Sequence, residues 1–149
     1  MSQSLHQSYA HIVFSTKNRE SLISDRIEQK LYSYLIGITK KLGASPVIIN
    51  GMPDHVHLLI RTSKTITDSD FLKKLKGSSS KWVSEEFQMQ FSWQTGYGWF
   101  SVSANNLEQA TAYIRSQKEH HKKVSFKEEL VTFLKKYKID YNEKYLWGE

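Results

Sequence analysis

The stretch PVIINGMPDHVHLLIR, residues 46–61, predicts the centre of the fold. Residues 46–51 and 55–61 are short runs rich in β-branched and aliphatic side chains, which favour strands. Between them, Met52, Pro53 and Asp54 have the composition of a turn. We therefore expect two adjacent strands that form a hairpin, with the other elements arranged around it.

The segments on either side of this hairpin each follow the period of one type of secondary structure. Residues 9–15 alternate between two sides, as a half-buried strand does, and residues 97–103 form another short strand. Apolar stripes at helical spacing predict helices over residues 24–42 and 67–90. Ser24 is suited to begin the first helix, and Gly43 is suited to end it.

This order of elements, β-α-β-β-α-β, indicates a fold class. It is the split βαβ arrangement, an α+β fold of the ferredoxin-like type in which a four-stranded antiparallel sheet carries two helices on one face. Additional C-terminal helices follow: Asn105 with Glu108 begins one that runs to about His120, and Ser125 with Glu128 begins the other. At 149 residues the chain is expected to be one domain, residues 1–149. The second face of the sheet is left for a site or for these extra helices.

Composition narrows the possible chemistry. The chain has 21 Lys and Arg against 15 Asp and Glu, a net charge of +6 with a pI near 9.4, which favours a polyanionic partner such as nucleic acid. It has no cysteine, so disulfides, Cys-bound zinc and a thiol nucleophile are excluded. The polar N-terminus and the lack of a long apolar run predict a cytoplasmic protein with no membrane segment.

Two histidines stand out on the second strand of the hairpin. His55 and His57 are two residues apart, so their side chains project from the same face and could share one cation. Val56 and Leu58 alternate with them and would face the helices. Structural or exposed histidines are the commoner explanation of such a pair, but imidazoles within an apolar strand need a partner to offset their desolvation.

A second pair lies on the predicted third helix. Tyr113 and Gln117 are four residues apart, which presents a phenol and an amide on one face. An ordinary amphipathic tyrosine would give the same pattern. The pair by itself therefore does not distinguish a functional site from a structural tyrosine. His11, His120 and His121 are interpreted as structural or exposed residues.

Together these motifs resemble those of a known family. The DHVHLL run at residues 54–59, the GYGWFSV run at residues 96–102, and Tyr113 with Gln117 resemble the single-tyrosine HUH transposases of the IS200/IS605 insertion-sequence family. The resemblance covers nearly the whole chain, including residues 14–19 and the tail at residues 126–147 with its DYNE element at 140–143. Each motif is common alone, but their order and their placement on these elements are specific.

The resemblance implies a catalytic site and a substrate. His55 and His57 would hold a divalent metal, Mg²⁺ or Mn²⁺, with Gln117 as the third ligand, and Tyr113 would be the attacking group. Zinc also suits imidazole, so the ligand set alone leaves zinc as an alternative to Mg²⁺ or Mn²⁺. Attack by Tyr113 would leave a 5′-phosphotyrosine and a free 3′ hydroxyl, which permits cleavage and rejoining of single-stranded DNA with hairpin ends and no nucleotide cofactor.

The resemblance also implies an assembly. In this family the helix that bears the tyrosine is commonly donated to the histidine pair of the partner subunit. The protein would then be a homodimer with composite active sites, although the sequence does not reveal whether the Tyr113 helix docks in its own subunit or its neighbour's.

Contacts to DNA are expected from basic side chains near the second helix and near Tyr113. A helical lysine run is more often a solvated face, so only clustering on the side of the site would make these residues a DNA surface. The candidates are Lys73, Lys74, Lys76, Lys81, Arg115, Lys118, Lys122 and Lys123.

Two other functions remain open. The chain could be a catalytically inactive or repurposed module that binds single-stranded or hairpin nucleic acid. It could also be a metallohydrolase that activates water, with Tyr113 in a structural role. A covalent protein–DNA adduct would separate the transposase from both.

Overall fold

The computed structural model describes residues 2–142 and residue 146, and within them it has the predicted order of elements. The α+β class, the four-stranded antiparallel sheet and the additional C-terminal helices are confirmed. The strands and helices are β1 (Tyr9–Ser15), α1 (Asp25–Lys41), β2 (Ser45–Met52), β3 (His55–Arg61), α2 (Asp68–Glu86), β4 (Gly98–Val102), α3 (Leu107–Arg115), α4 (Gln117–His120) and α5 (Phe126–Lys136).

The sheet places the histidine pair at its centre. Its strand order is β2-β3-β1-β4, and all three pairings are antiparallel. The predicted hairpin is confirmed, with β2 paired to β3 across the turn after Met52. His55 and His57 lie opposite Ser15 and Val13 of β1. Both histidines are therefore held by a strand that has neighbours on either side.

Gly51 allows the hairpin to close beside His55. A Cβ atom at this position would lie 2.2 Å from the carbonyl oxygen of His55, which is backbone and cannot move aside cheaply. Glycine is thus required by close approach of the chain rather than by an unusual dihedral angle.

One face of the sheet packs against α1 and α2, as the alternation in the strands predicts. The even-numbered residues of β1 and β3 contribute to this core together with apolar residues of the two helices, among them Ala10, Ile12, Phe14, Val56, Leu58, Ile60, Leu31, Leu35, Phe71 and Leu75. The histidines of β3 must therefore point to the other face. That face is covered by the C-terminal helices, where α5 contributes Phe126 and Leu134 to a second cluster with Val13 and Phe100.

Two helices differ from their predicted extents. α2 ends at Glu86 rather than near residue 90, because Phe87 leaves the helix and Gln88 has a positive φ of 49°. The third predicted helix begins at Leu107 rather than at Asn105, which lies in a 3₁₀ turn over Ala104–Asn106, and it is divided at Ser116 into α3 and α4. Asn50 of β2 stabilises this break, since its Nδ2 donates to the carbonyl oxygens of Ile114 and Arg115 at 3.0 and 3.1 Å.

The tail is described only in part. Residues 143–145 and 147–149, which include Glu143 of the DYNE element and Trp147, lie outside the described residues. In the part of the chain that the structure describes, no helix combines the length and the apolar character that crossing a bilayer requires.

Candidate active site

The two β3 histidines are oriented by partners behind them. His55 and His57 are fully buried, at 0% exposure. Asp54 Oδ1 lies 2.7 Å from Nδ1 of His55, and Nε2 of His11 lies 2.6 Å from Nδ1 of His57. Partners on the Nδ1 atoms leave both Nε2 atoms directed at the same region, which is how metal-binding imidazoles are commonly held.

The structure brings Gln117 and Tyr113 to this region within the same chain. Gln117 begins α4 immediately after the break at Ser116, and its Oε1 lies 3.3 Å from Nε2 of His55. The ring of Tyr113, on α3, lies 6.0 Å from the ring of His57 between centroids. The four residues singled out by motif are therefore neighbours, although the two histidines precede Tyr113 and Gln117 by more than fifty residues in sequence.

Two further side chains complete the cluster, and sequence reasoning did not assign either to the site. His121 was interpreted as structural or exposed, yet its Nε2 lies 3.1 Å from Nε2 of His55. Glu129 of α5 was not considered at all, yet its Oε1 lies 2.8 Å from Nε2 of His57 and 3.1 Å from Nε2 of His121. One ligand atom from each of His55, His57, His121 and Glu129 lies within 4.8 Å of the other three.

A signal for Glu129 is present in the sequence. It is three residues after Phe126 and four before Phe133, which places a carboxylate on the apolar side of an amphipathic helix. A charged residue at such a position is rarely buried unless it is paired or bound to a metal. Glu129 is 3% exposed, so a charged residue on the apolar side of this helix was a sequence pattern that could have indicated the metal site.

Burial and the cluster itself shift the protonation of these groups. Burial lowers the pKa of His57 to about 4, against the opposing effect of Glu129, so its ring is neutral at neutral pH. Burial would raise the pKa of the Glu129 carboxyl, but hydrogen bonds with His121 and His57 hold it well below its usual value. The pKa of His121 is raised: burial opposes this, but the hydrogen bond to Glu129 outweighs it. The cluster thus combines a neutral imidazole with a fixed negative charge.

The Tyr113 hydroxyl contacts the same carboxylate. It donates a hydrogen bond to Oε2 of Glu129, and Nε2 of His120 lies 3.3 Å away. Burial, followed by the hydrogen bond to Glu129 and its negative charge, raises the pKa of this phenol above its usual value of about 10. Without a cation nearby, Tyr113 is therefore protonated at neutral pH.

The arrangement of acceptor atoms fits a divalent cation. Nδ1 of His121 lies 2.6 Å from the carbonyl oxygen of Val124, which can only accept, so in the neutral ring Nε2 carries the lone pair. Nε2 of His55 is left with a lone pair in the same way by the carboxylate of Asp54. These two nitrogens and Oε1 of Gln117 all direct lone pairs at the same region. Lone pairs that face one another require a proton or a metal ion between them.

The predicted DNA-contacting residues fall into two groups. Lys73, Lys74 and Lys81 are exposed on α2, on the side of the sheet opposite the cluster. On the side of the cluster, Arg115, Lys122 and Lys123 are exposed. DNA contact by either group stays a prediction.

Three of the candidate lysines make contacts within the chain, and one of them is Lys122, whose Nζ donates to Oε1 of Glu119 at 3.0 Å. Lys76 Nζ donates to the carbonyl oxygens of Gln94 and Gly96, at 2.7 Å each. Lys118 Nζ donates to the carbonyl oxygen of Gly51 at 2.5 Å and pairs with Glu28. Lys118 therefore fastens α4 to the β2–β3 hairpin, beside Gln117.

Comparison with known proteins identifies the class to which this fold and site belong. Residues 4–117 match the family described as Transposase IS200 like, which is most of the chain, so the protein belongs to the IS200-like transposase family. Among characterised relatives, it is 28% identical over 120 residues to the ISDra2 transposase TnpA of Deinococcus radiodurans, which covers 76% of this chain and 86% of the relative. Glu129 and His121 lie beyond the residues matched to the family.

Solved structures agree with this assignment. A protein of Deinococcus radiodurans R1, solved as a candidate transposase, has a TM-score of 0.64 at 27% identity and covers 78% of this chain and 98% of its own. A REP-associated tyrosine transposase bound to a REP hairpin has a TM-score of 0.62, covering 83% of this chain and 76% of its own, and at 15% identity it shows the likeness of the fold alone.

Proposed function

We propose that the protein cleaves and rejoins single-stranded insertion-sequence ends through a covalent 5′-phosphotyrosine on Tyr113, with a divalent metal at the histidine pair. The main support for the proposal is that a phenol from α3 lies beside the two imidazoles of β3 in one chain. The Tyr113 hydroxyl and Nε2 of His57 contact the two oxygens of the same carboxylate, that of Glu129. Membership of the transposase family supplies the class of reaction.

The covalent step balances without a nucleotide cofactor. The phenolic oxygen of Tyr113 forms a bond to phosphorus while the bond from phosphorus to the 3′ oxygen breaks. The proton lost from the phenol is matched by the proton that the 3′ oxygen gains. The reverse reaction, in which a 3′ hydroxyl attacks the phosphotyrosine, joins strands and restores Tyr113.

The chain's own residues would bind the metal and orient its ligands in this step. His55, His57 and Gln117 would hold Mg²⁺ or Mn²⁺, which supplies charge stabilisation to the phosphate and the leaving oxygen. Asp54 and His11 keep the two imidazole rings in the ligating orientation. Asn50 holds the end of α3 and Lys118 holds α4 against the hairpin, so Gln117 stays beside His55.

The proposed partner is single-stranded DNA with hairpin ends. The net charge of +6 favours a polyanion, and Arg115, Lys122 and Lys123 are the exposed candidates on the side of the cluster. A structural relative was solved bound to a REP hairpin, which fits this class of ligand.

A covalent adduct tests the nucleophile. The protein is incubated with an end-derived hairpin strand and Mn²⁺, and adducts are separated by denaturing electrophoresis. The parent protein should give an adduct, and Tyr113→Phe should give none while still binding the strand. Tyr34→Phe, which alters a phenol on α1 stacked on Trp82, is the matched control and should react as the parent does.

The alternatives have distinct outcomes in the same assay. An adduct that persists in Tyr113→Phe would refute the assignment of the nucleophile. Cleavage without adduct would indicate a metallohydrolase that activates water. Binding without cleavage by the parent protein, with metal and a correct end present, would indicate a repurposed binding module.

The homodimer with composite sites also remains a prediction. In this structure α3 docks on the histidine pair of its own chain. Mixing Tyr113→Phe with His57→Ala subunits tests the exchange, because a composite dimer would rebuild one intact site from the two variants. Recovery of adduct would support sites shared between subunits, whereas no recovery despite mixed-dimer formation would support sites complete in one chain.

A further inference from the structure

We infer that Glu129 and His121 are ligands of the same metal ion and that Glu129 joins this metal to the nucleophile. This inference rests on the proposed function and deepens it, since it extends a site of three ligands to five. Both residues lie after residue 117, where the family match ends. A segment outside the matched part of the chain would thus complete the site.

Distances between the donor atoms support a single ion. Atoms that ligate one ion at about 2.0–2.2 Å lie roughly 2.8–3.6 Å apart along the edges of an octahedron or a tetrahedron. Oε1 of Glu129 lies 2.8, 3.1 and 3.6 Å from Nε2 of His57, His121 and His55. Nε2 of His55 lies 3.1 Å from Nε2 of His121 and 3.3 Å from Oε1 of Gln117. These five separations are those expected between neighbouring ligands of one ion, and the four His and Glu atoms all lie within 4.8 Å of one another.

The two oxygens of Glu129 face different partners. Oε1 faces the imidazoles of His57 and His121. Oε2 accepts hydrogen bonds from the Tyr113 hydroxyl and, at 2.9 Å, from Nε2 of Gln117. One carboxylate can therefore ligate the metal through Oε1 and orient the nucleophile through Oε2, the oxygen to which Gln117 also donates.

The packing of α5 brings this carboxylate to the site. Phe126 stacks on the ring of His55 at 4.5 Å between centroids, and Phe133 stacks on Phe100 of β4 at 5.2 Å. These contacts lie on either side of Glu129 along the helix. A buried carboxylate at that position is costly unless charge offsets it, and a divalent ion among the imidazoles would do so.

Manganese affinity tests the ligand role directly. Mn²⁺ alone is titrated into the full chain, and binding is measured by calorimetry and by the electron paramagnetic resonance of free Mn²⁺. Glu129→Gln, which keeps the size of the side chain, should weaken binding by about tenfold or more, as should His121→Ala. Glu128→Gln is the matched control, because it removes a neighbouring exposed carboxylate and can keep the capping contact with Ser125.

The opposite result has a clear meaning. Suppose that Glu129→Gln binds Mn²⁺ as tightly as the parent or more tightly, and also gives more adduct. The Glu129 carboxylate then blocks the position of the substrate phosphate rather than binding the metal, and the inference is overturned.

Amide hydrogen exchange provides a second readout that does not depend on activity. Because Glu129 lies on α5, binding of Mn²⁺ should slow exchange at amides of residues 126–136 in the parent protein, and this protection should be lost in Glu129→Gln. Protection that is unchanged by the substitution would overturn the inference even if the variant proved less stable.

Failure of this inference can be separated from failure of the proposed function. His57→Ala should abolish tight Mn²⁺ binding under either ligand set. If it does, but Glu129→Gln and His121→Ala bind normally, only the further ligands are wrong. If Tyr113→Phe still forms the adduct, the proposed function fails whatever the metal measurements show.

Discussion

The contact between His11 and His57 gives a quantitative prediction about metal affinity. For Nε2 of His57 to offer its lone pair to a metal, the ring proton must lie on Nδ1, which is 2.6 Å from Nε2 of His11. Burial, then the neighbouring His57, holds the pKa of His11 well below its usual range, so His11 is neutral and can accept that proton. His11→Phe removes the acceptor and keeps the ring.

The His11→Phe substitution should raise the free energy of the metal-bound protein more than that of the metal-free protein. With metal bound, the Nδ1–H of His57 becomes a buried donor without an acceptor, which costs about 1–3 kcal/mol. Without metal, the same ring can place its proton on Nε2 and donate to Glu129. Loss of an outer partner of this kind weakens metal binding by about 10–100-fold, and because tenfold is about 1.4 kcal/mol the two ranges agree.

Calorimetric titration with Mn²⁺ measures this effect. The phenyl ring should be accommodated, since His11 already packs edge-on against Phe133 at 5.2 Å between centroids, and circular dichroism would check the fold. His11→Gln can accept through its amide oxygen and should recover part of the affinity, and His6→Phe at an exposed position is the control. If folded His11→Phe binds Mn²⁺ within about twofold of the parent, the orienting role is refuted.

Two other variants examine stability. Asn50→Ala removes two hydrogen bonds to the end of α3 and should lower the free energy of unfolding by about 1–2 kcal/mol in urea; an equal loss in Gln109→Ala, which changes an exposed amide on α3 itself, would refute the role of these two hydrogen bonds. Burial lowers the pKa of Lys76 from 10.5 to about 8, so its charged form is disfavoured by folding and stability should rise as the pH increases from about 8 to 10.5. Lys76→Arg stays charged over this range and should lack that rise, whereas the same rise in both proteins would contradict the assignment.

Local patterns in the sequence predicted the fold and singled out four of the six side chains that the structure brings together, all but His121 and Glu129. Alternation in β1 and β3 determines which side chains share a face, because successive residues of a strand point to opposite sides. The same rule placed His55 and His57 together, and helical spacing placed Tyr113 near Gln117. Such inferences require only the identities of residues a few positions apart in the sequence.

The remaining features depend on residues far apart in the chain. The break between α3 and α4 is stabilised by Asn50, whose amide donates hydrogen bonds to carbonyl groups 64 and 65 residues later. Glu129 meets His57 across 72 residues, and only the docking of α5 on the sheet brings its carboxylate to the imidazoles. The sequence by itself determined the periods of the elements and the faces that they present. The tertiary structure decided which faces meet, because packing over such separations is set by the whole core rather than by any local pattern.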